Sequence, residues 1–401
     1  MKRRITLPTP RLSHSKGSYV WLENDDEPYL DFIMGFGSVN FGHAHPKIIA
    51  AVAEASRVVD TALPIQYGVS QELEQRLVQA LPFRGGPFTV SFLESGSLAV
   101  EAALEACKVH TGKSKVISFD GAFHGFTMSL SGISDLRFLE STRESTPQQN
   151  NIKIPFPLNE KQAESVLATL EKLVTTHNDI SAILLETCQG GAGYRMAPDS
   201  FFRKLQSIIE KTDIILIVDD ILMGIGRTGH LYSFSPLHLR PDIVLLGKSL
   251  AGGYYPLSAL IIRSDILESV SVPVSSLAST FSNNPFGIYI ANEVQKIIKE
   301  DSIYDNVWKV APLFLDLLES LHAQYPKKIL GYNGWGLSGG LELKSRSAVE
   351  EALGLCLEEH LLAQYAGTNR EYLRFNPSLL SSKKEFESAY TKLSRVFEYL
   401  R

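Results

Sequence analysis

The sequence predicts an α/β protein with a mainly parallel sheet covered by helices on both faces. Three observations lead there. From Phe88 to Arg263, short runs of Val, Ile and Leu alternate with stretches of helical periodicity, the pattern of βαβ units. These runs are apolar throughout, as in strands buried on both faces. The chain has 401 residues, 44% hydrophobic and 21% charged, which are ordinary globular proportions and allow more than one lobe with its own core.

The elements follow in order. Ser18–Leu22 and Tyr29–Phe32 read as strands split by the turn Asn24-Asp25-Asp26, before Gly35-Phe36-Gly37 and Gly42-His43-Ala44-His45. Pro46 suits a first helical turn, and Lys47–Val58 continues at helical spacing. Ser70–Leu81 sets Leu73, Leu77 and Leu81 on one helix face. Phe88–Leu93 is a strand, Leu98–His110 a helix and Val116–Phe119 a strand. The polar stretch Asp135–Asn151, with STRESTPQQNN, is a surface loop. Glu160–Thr175 and Asp199–Lys211 are helices. Ala182–Glu186, Ile214–Asp219, Ile243–Leu246 and Leu257–Arg263 are strands. From Asn284 the chain turns more helical, with helices at Pro285–Lys299, Ile303–Ala323, Ala348–Leu362 and Glu385–Leu400. Gly336–Leu343 and Tyr372–Phe375 are strands there. The two ends are expected to join in a smaller α+β lobe, residues 1–45 and 291–401, beside a large α/β domain of residues 46–290.

Bulk properties exclude several function classes. A net charge of −5 gives no sign of nucleic-acid binding. The three cysteines, Cys107, Cys188 and Cys356, match no metal motif, and an odd count argues against a disulfide framework. The basic start MKRRITLPTPRL lacks the apolar region of a secretory signal. No apolar stretch approaches a membrane span. A cytoplasmic protein with no membrane or nucleic-acid partner is expected.

In open α/β sheets, ligands bind beyond the carboxyl ends of the strands, so the residues after each strand matter most. Phe88–Leu93 is followed by Glu94-Ser95-Gly96-Ser97, either a phosphate site at a helix N-terminus or an ordinary cap. Val116–Phe119 is followed by Asp120-Gly121-Ala122-Phe123-His124-Gly125, where Phe123 stacks on a flat ring or packs in the core. Glu186 ends its strand as a buried carboxylate, which needs a partner, in the protein or in a ligand. Asp219 can hold a cationic ring nitrogen or cap a helix. A metal is disfavoured, since His230 and His238 lack ligand spacing. Lys248 stands at the tip of Ile243–Leu246. Desolvation there lowers an ammonium pKa and frees an amine for Schiff-base chemistry, although a strand-end lysine also simply snorkels to water. Read together, a phosphate cradle, a stacking aromatic, an acid for a ring nitrogen and a Schiff-base lysine describe a site for pyridoxal 5'-phosphate.

At these residues the chain resembles the class III aminotransferases, the ornithine, acetylornithine and 4-aminobutyrate type. The matching stretches are YLDFIMGFGSVNFGHAHPKI, SGSLAVEAAL, FHG, ETCQGGAG, LIVDDILMGIGRTGHLYSF, PDIVLLGKSLAGGYYPLSA, STFSNNP and LRFNPSL, in family order from about residue 18 to 380. The resemblance implies fold type I, with a mainly parallel seven-stranded sheet sandwiched by helices and a small lobe from both termini. It implies that Lys248 carries the Schiff base and shuttles the proton, and that Asp219 pairs with the pyridine nitrogen. Ile221 would pack under the ring and Phe123 stack on it beside His124. Gly96 and Ser97 would hold the phosphate, with Thr280 reaching the phosphate in the neighbouring subunit of a homodimer whose active sites lie at the interface. Arg374 would bind a substrate carboxylate as a bidentate pair, and Glu186 and Phe36 would line the substrate side. No metal is implied.

Three positions depart from the family pattern. Leu222 stands where a glutamine usually touches the cofactor's phenolic oxygen. Leu98 stands for a glutamate, with a small structural effect. Gly191 stands where many members carry a glutamate that covers the carboxylate-binding arginine in one half-reaction. The reading reached is an aminotransferase that moves an amino group from an amino acid or amine to a 2-oxo acid, 2-oxoglutarate or pyruvate, by a ping-pong mechanism. An aminomutase or racemase on the same fold is the alternative.

Overall fold

The computed structural model of the chain describes residues 11–59, 68–83, 86–135, 151–270 and 279–401. At its centre lies a seven-stranded sheet in the order Phe88–Leu93, Ser258–Arg263, Ile243–Leu246, Ile215–Asp219, Ile180–Leu185, Lys115–Phe119, Asn151–Ile154. Ser258–Arg263 runs antiparallel to both neighbours, and every other pairing is parallel.

Packing explains the unbroken apolar runs. Successive strand residues point to opposite faces, and both faces are covered. Leu216 and Val218 enter one core cluster, and Ile215 and Ile217 enter the other; Val244 and Leu246 divide from Ile243 and Leu245 in the same way. On one face lies the helix Gly96–Thr111, whose Ala99, Ala102, Ala103 and Ala106 are fully buried. Small side chains bring that helix close to the sheet. The opposite face carries Glu160–Thr176, Asp199–Ile209 and Pro285–Glu300.

The parallel strands end at one common edge, which therefore holds Leu93, Phe119, Leu185, Asp219 and Leu246. Two smaller sheets complete the fold. Leu12–Lys16, Tyr19–Leu22, Tyr29–Asp31 and Leu361–Leu362 form one, with Leu361 opposite Leu30 in a parallel pair, so the two ends of the chain meet there. Ile329–Trp335, Ser338–Leu343, Tyr372–Phe375 and Gln364–Ala366 form the other. The helix Ile303–Gln324 packs on it through a buried stripe that includes Phe314, Leu318 and Leu321.

The pattern-based reading fails in places that share a cause. The helix expected over Ala348–Leu362 runs only over Arg346–Glu358. His360 then turns the chain at φ 52, and Leu361–Leu362 leave as a strand. Two adjacent leucines have no period of their own, and the partner that makes them a strand is Tyr29–Asp31, far away in sequence. The strands Leu12–Lys16 and Ile329–Trp335 escape the sequence reading because the first is mostly exposed and the second (ILGYNGW) carries glycines that weaken a strand signal. The loop expected over Asp135–Asn151 falls, for residues 136–150, outside the described residues, and Asn151 already belongs to the edge strand Asn151–Ile154. Cys107, Cys188 and Cys356 are all free and buried. Among the described residues, no helix is long and apolar enough to cross a membrane.

Candidate active site

Lys248 follows Gly247 at the end of the fully buried strand Ile243–Leu246 and opens a single 3-10 turn, Lys248–Ala251. Its φ of 46 places a non-glycine residue in the left-handed region, a strained conformation of the kind that gathers at functional sites. Desolvation pulls its ammonium pKa down to about 8. The charge of Asp219 opposes the shift, that of Arg374 adds to it, and that of Glu186 opposes it more weakly.

Asp219 ends the next strand, is buried, and has both oxygens engaged. Oδ2 lies 2.7 Å from Nδ1 of His124, and Oδ1 accepts the N–H of Ile221 at 3.2 Å. His124 is itself buried and its backbone N–H donates to Ser134 Oγ at 2.9 Å. Glu186 sits just beyond the neighbouring strand, where Oε2 accepts the N–H of Phe123 at 2.9 Å. Burial pushes its carboxyl up to about 7, against the attraction of His124 and with the repulsion of Asp219. A lysine, two carboxylates and a histidine thus share one buried edge, where Lys248 and Glu186 are both moved by desolvation.

Beside them the helix Gly96–Thr111 begins. Ser95 caps it, Oγ accepting the N–H of Leu98 at 3.3 Å. Gly96 is required by close packing, since a Cβ there would meet Ile221 Cδ1 at 2.7 Å. Gly125 has φ 129, and a Cβ there would collide with Ser97 Oγ and meet Leu130 Cδ1 at 2.8 Å. These two glycines draw Ile221, the Phe123–Gly125 turn and the first helical turn together. Gly96 and Ser97 are the first helical residues, whose N–H groups have no intrahelical acceptor. The Phe123 ring meets Phe126 edge-on with centroids 4.7 Å apart.

Arg374 comes from the separate sheet, on Tyr372–Phe375. It is half-buried, Nη2 donates to Gln364 Oε1 at 3.0 Å, and among the described residues its buried Nε has no partner. Leu222 packs against the apolar group of Cys188, Tyr194 and Met223, and lies so close to Gly190 that a Cβ there would overlap it. The carbonyl of Gly191 accepts the N–H of Gly367 at 2.9 Å.

The structure therefore gathers Lys248, Asp219, His124, Glu186, Phe123, Ile221, Gly96 and Ser97 around one sheet edge, with the charge of Arg374 felt at Lys248. Two further residues are exposed in the single chain: Thr280 lies in a turn, and Phe36, 60% exposed at φ 59, precedes Gly37, where a Cβ would lie 3.8 Å from Lys248 Cδ. Sequence reasoning misses Gln364 and the buried Arg227. Arg227 donates to the carbonyls of Leu337 (2.8 Å) and Pro377 and to Asn40 Oδ1, while Asn40 Nδ2 donates to Ser249 Oγ at 2.8 Å. This joins the Lys248 turn to the segment that follows the strand carrying Arg374. The only sequence signal for it is an arginine, 227, inside an otherwise apolar and glycine-rich stretch.

The fold defines the class. A thermostable omega transaminase from Pseudomonas jessenii superposes with a TM-score of 0.89 at 20% identity, over 100% of this chain and 97% of that one. The ornithine aminotransferase from Toxoplasma gondii does so at 0.87 and 23% identity, over 99% and 92%. At such identities the likeness is one of fold, and the fold is that of the type I pyridoxal-phosphate transferases. Sequence then fixes the family. The model of aminotransferase class III matches residues 4–397, so the chain belongs to the class III aminotransferases and is a pyridoxal-phosphate-dependent enzyme. It is 30% identical over 389 residues to the acetylornithine aminotransferase of Agrobacterium fabrum, covering 95% of this chain and 92% of that protein. It is 29% identical over 379 residues to the diaminobutyrate–2-oxoglutarate transaminase of Wolinella succinogenes, covering 91% and 86%.

Proposed function

We propose that the protein moves an amino group from an amino-acid donor to a 2-oxo acid, 2-oxoglutarate or pyruvate, in two successive half-reactions centred on Lys248. The observation that carries this reading is the desolvated Lys248 amine in the field of the Asp219–His124 pair. The residues also fit the cofactor. The cradle formed where Gly96 and Gly125 remove Cβ atoms leaves backbone N–H groups and Ser97 Oγ for a phosphate, and Asp219 is a fixed acid for a ring nitrogen.

Pyridoxal phosphate bound there supplies an aldehyde that condenses with amines and a ring that takes up the electron pair of a broken C–H bond. Lys248 Nζ is the amine that would condense with that aldehyde, and once released it would be placed to take the proton from the substrate Cα. Its lowered pKa, about 8, leaves roughly a tenth of the amine free at pH 7, where an ordinary lysine leaves well under a hundredth. Asp219 would hold the ring nitrogen protonated, and His124 and the Ile221 N–H hold its carboxylate in place. Ile221 and Phe123 would supply the apolar faces for the ring, and Glu186 fixes the Phe123 backbone. Arg374 receives a substrate carboxylate, and Phe36 borders the substrate entrance.

The protein acts as a cytoplasmic homodimer in this reading. Thr280 and Phe281 are exposed, while Ser279 touches Glu94 beside the phosphate cradle. Phe126 and Met128, 66% and 74% exposed, flank Thr127, whose hydroxyl donates to Glu101 of the helix Gly96–Thr111 at 2.6 Å. A partner covering these side chains would bring Thr280 to the opposite phosphate. The test is a screen of amino donors with pyruvate and 2-oxoglutarate as acceptors, read by mass spectrometry, on protein whose dimer mass is measured by sedimentation. Formation of the new amino acid with release of the donor's oxo acid is expected. Absence of a visible absorbance band after addition of pyridoxal phosphate overturns the reading.

A further inference from the structure

The guanidinium of Arg374 lacks a counterion. Half-buried, it is bonded through Nη2 to the neutral Gln364 Oε1, its buried Nε is unsatisfied, and among the described residues no carboxylate lies within ion-pair distance of it. Gln364 is fixed there by the sheet. It stands directly opposite Arg374 in the antiparallel pairing of Gln364–Ala366 with Tyr372–Phe375, so the two side chains share one face. Across from this pair, the 3-10 turn Gly190–Ala192 offers only glycine at 191, whose carbonyl is taken by the Gly367 N–H.

A half-buried cation without a counterion is only partly solvated, and an arriving carboxylate can answer it with a bidentate charge-assisted pair. A glutamine cannot do so at any pH, because it never carries charge. It holds the guanidinium in position and leaves its charge open.

We infer that Gln364 is a positioning and specificity-determining residue that keeps Arg374 oriented and its charge uncompensated, so that a substrate carboxylate meets a guanidinium already placed for it. The inference rests on the aminotransferase reading above. It names a neutral residue, not a carboxylate, as the group that governs the arginine.

The test uses the holoenzyme and two substitutions of opposite logic. Gln364→Glu places a carboxylate on Arg374 and keeps the hydrogen-bond acceptor; Gln364→Met keeps the neutrality and removes the acceptor. Glutarate, a dicarboxylate with neither amino nor oxo group, is titrated by calorimetry so that binding is read without turnover. Q364E is expected to weaken glutarate binding at least about tenfold, and Q364M only about threefold. The pH at which the visible band of the holoenzyme titrates is the second readout. The charges felt at Lys248 are those of Asp219, Arg374 and Glu186. Q364E neutralises the Arg374 contribution and raises that pH, whereas Q364M leaves it unchanged. Equal weakening by both variants with no shift in titration overturns the inference, because a merely structural role predicts that result. So does unchanged glutarate affinity in Q364E. A wild-type protein that forms no visible band overturns the aminotransferase reading instead, which separates the two failures.

Discussion

The two ends of the central sheet treat charge in opposite ways. At the amino end of the parallel strands, charges are partly exposed and paired: Lys115 with Asp179 at 2.8 Å, and Arg263 with Asp242 and with Asp265, each at 2.6 Å. Asp242 is raised by burial, yet it is answered by Arg263 and by the Leu216 N–H. An open cleft of about 670 Å3 lies at this end, lined by Lys113, Arg240, Asp242 and Arg263 among others. At the carboxyl end the groups are buried, and their shifts come first from desolvation: Lys248 goes down to about 8 and Glu186 up to about 7. A cleft alone does not make a site. What distinguishes the carboxyl end is ionisable groups held where water would otherwise stabilise them, which is how a fold keeps an amine reactive near neutral pH.

The contrast breaks first at Lys248. Lys248→Ala removes the amine and is expected to lower turnover by roughly 10³-fold or more. The far-UV circular dichroism and dimer mass should stay unchanged, because a desolvated cation contributes little to folding. A rapid-mixing measurement of a single half-reaction checks this. Residual transfer within tenfold of wild type removes Lys248 from the centre of the site. Asp219→Asn follows closely, with roughly a 10²–10³-fold loss of kcat, since the amide cannot balance a protonated ring nitrogen and also unsettles His124.

Arg374 tests whether the carboxyl-end charge extends to the substrate. Arg374→Met is expected to raise KM for acidic acceptors by about 10²-fold, the loss of a buried charge-assisted pair, with a smaller change in kcat. Steady-state kinetics with 2-oxoglutarate and an uncharged aldehyde acceptor separates the two. Equal effects on both acceptors would show that Arg374 shapes the site without binding a carboxylate.

Much of this contrast is legible in the sequence, because local rules produce it. Phe88–Leu93, Ile243–Leu246 and Tyr372–Phe375 occupy the residues expected of them, since an apolar run bounded by glycine or charge has few other solutions. The parallel strands then bring Glu186, Asp219 and Lys248 to one edge without further information. What escapes the sequence is non-local. Leu361–Leu362 is a strand only because Tyr29–Asp31 lies beside it, and Gln364 matters only because the register sets it opposite Arg374. Gly125 looks like any turn glycine until Ser97 is found against it.

Glu186 sharpens the comparison from the side of stability. Its folded pKa, about 7, lies above the unfolded value near 4.5. Below the unfolded value the protonated group is equally content in both states. As pH rises through the folded pKa the buried carboxylate must ionise, and the folded state loses stability relative to the unfolded one. Glu186→Gln removes that loss while its amide oxygen keeps an acceptor for the Phe123 N–H. Cofactor-free Glu186→Gln is therefore expected to be more stable than wild type at pH 8, by on the order of 3 kcal/mol, and no more stable near pH 4.5. Urea titrations at the two pH values check the sign. A gain that is the same at both would mean that burial of the carboxylate is not its origin.

The smallest effect is expected at the other end, at Arg263. Its guanidinium bridges Asp242 and Asp265 but is about one-third exposed, with a side-chain exposure of 36%. Such pairs are screened by water and contribute about 0–1 kcal/mol. Arg263→Ala should therefore shift the urea midpoint only slightly, with the cost set by how far Asp242 is left unanswered, and should leave kcat/KM for both substrates unchanged. The substitution discriminates because Asp242 follows the same strand order as Asp219 but from the opposite end: its N–H donates to the Leu216 carbonyl, and its Oδ2 accepts from the Leu216 N–H. If loss of Arg263 changed the pH dependence of turnover, charge at the amino end would be coupled through the sheet to Lys248. If it changes stability alone, the chemistry is confined to the edge where the buried groups meet.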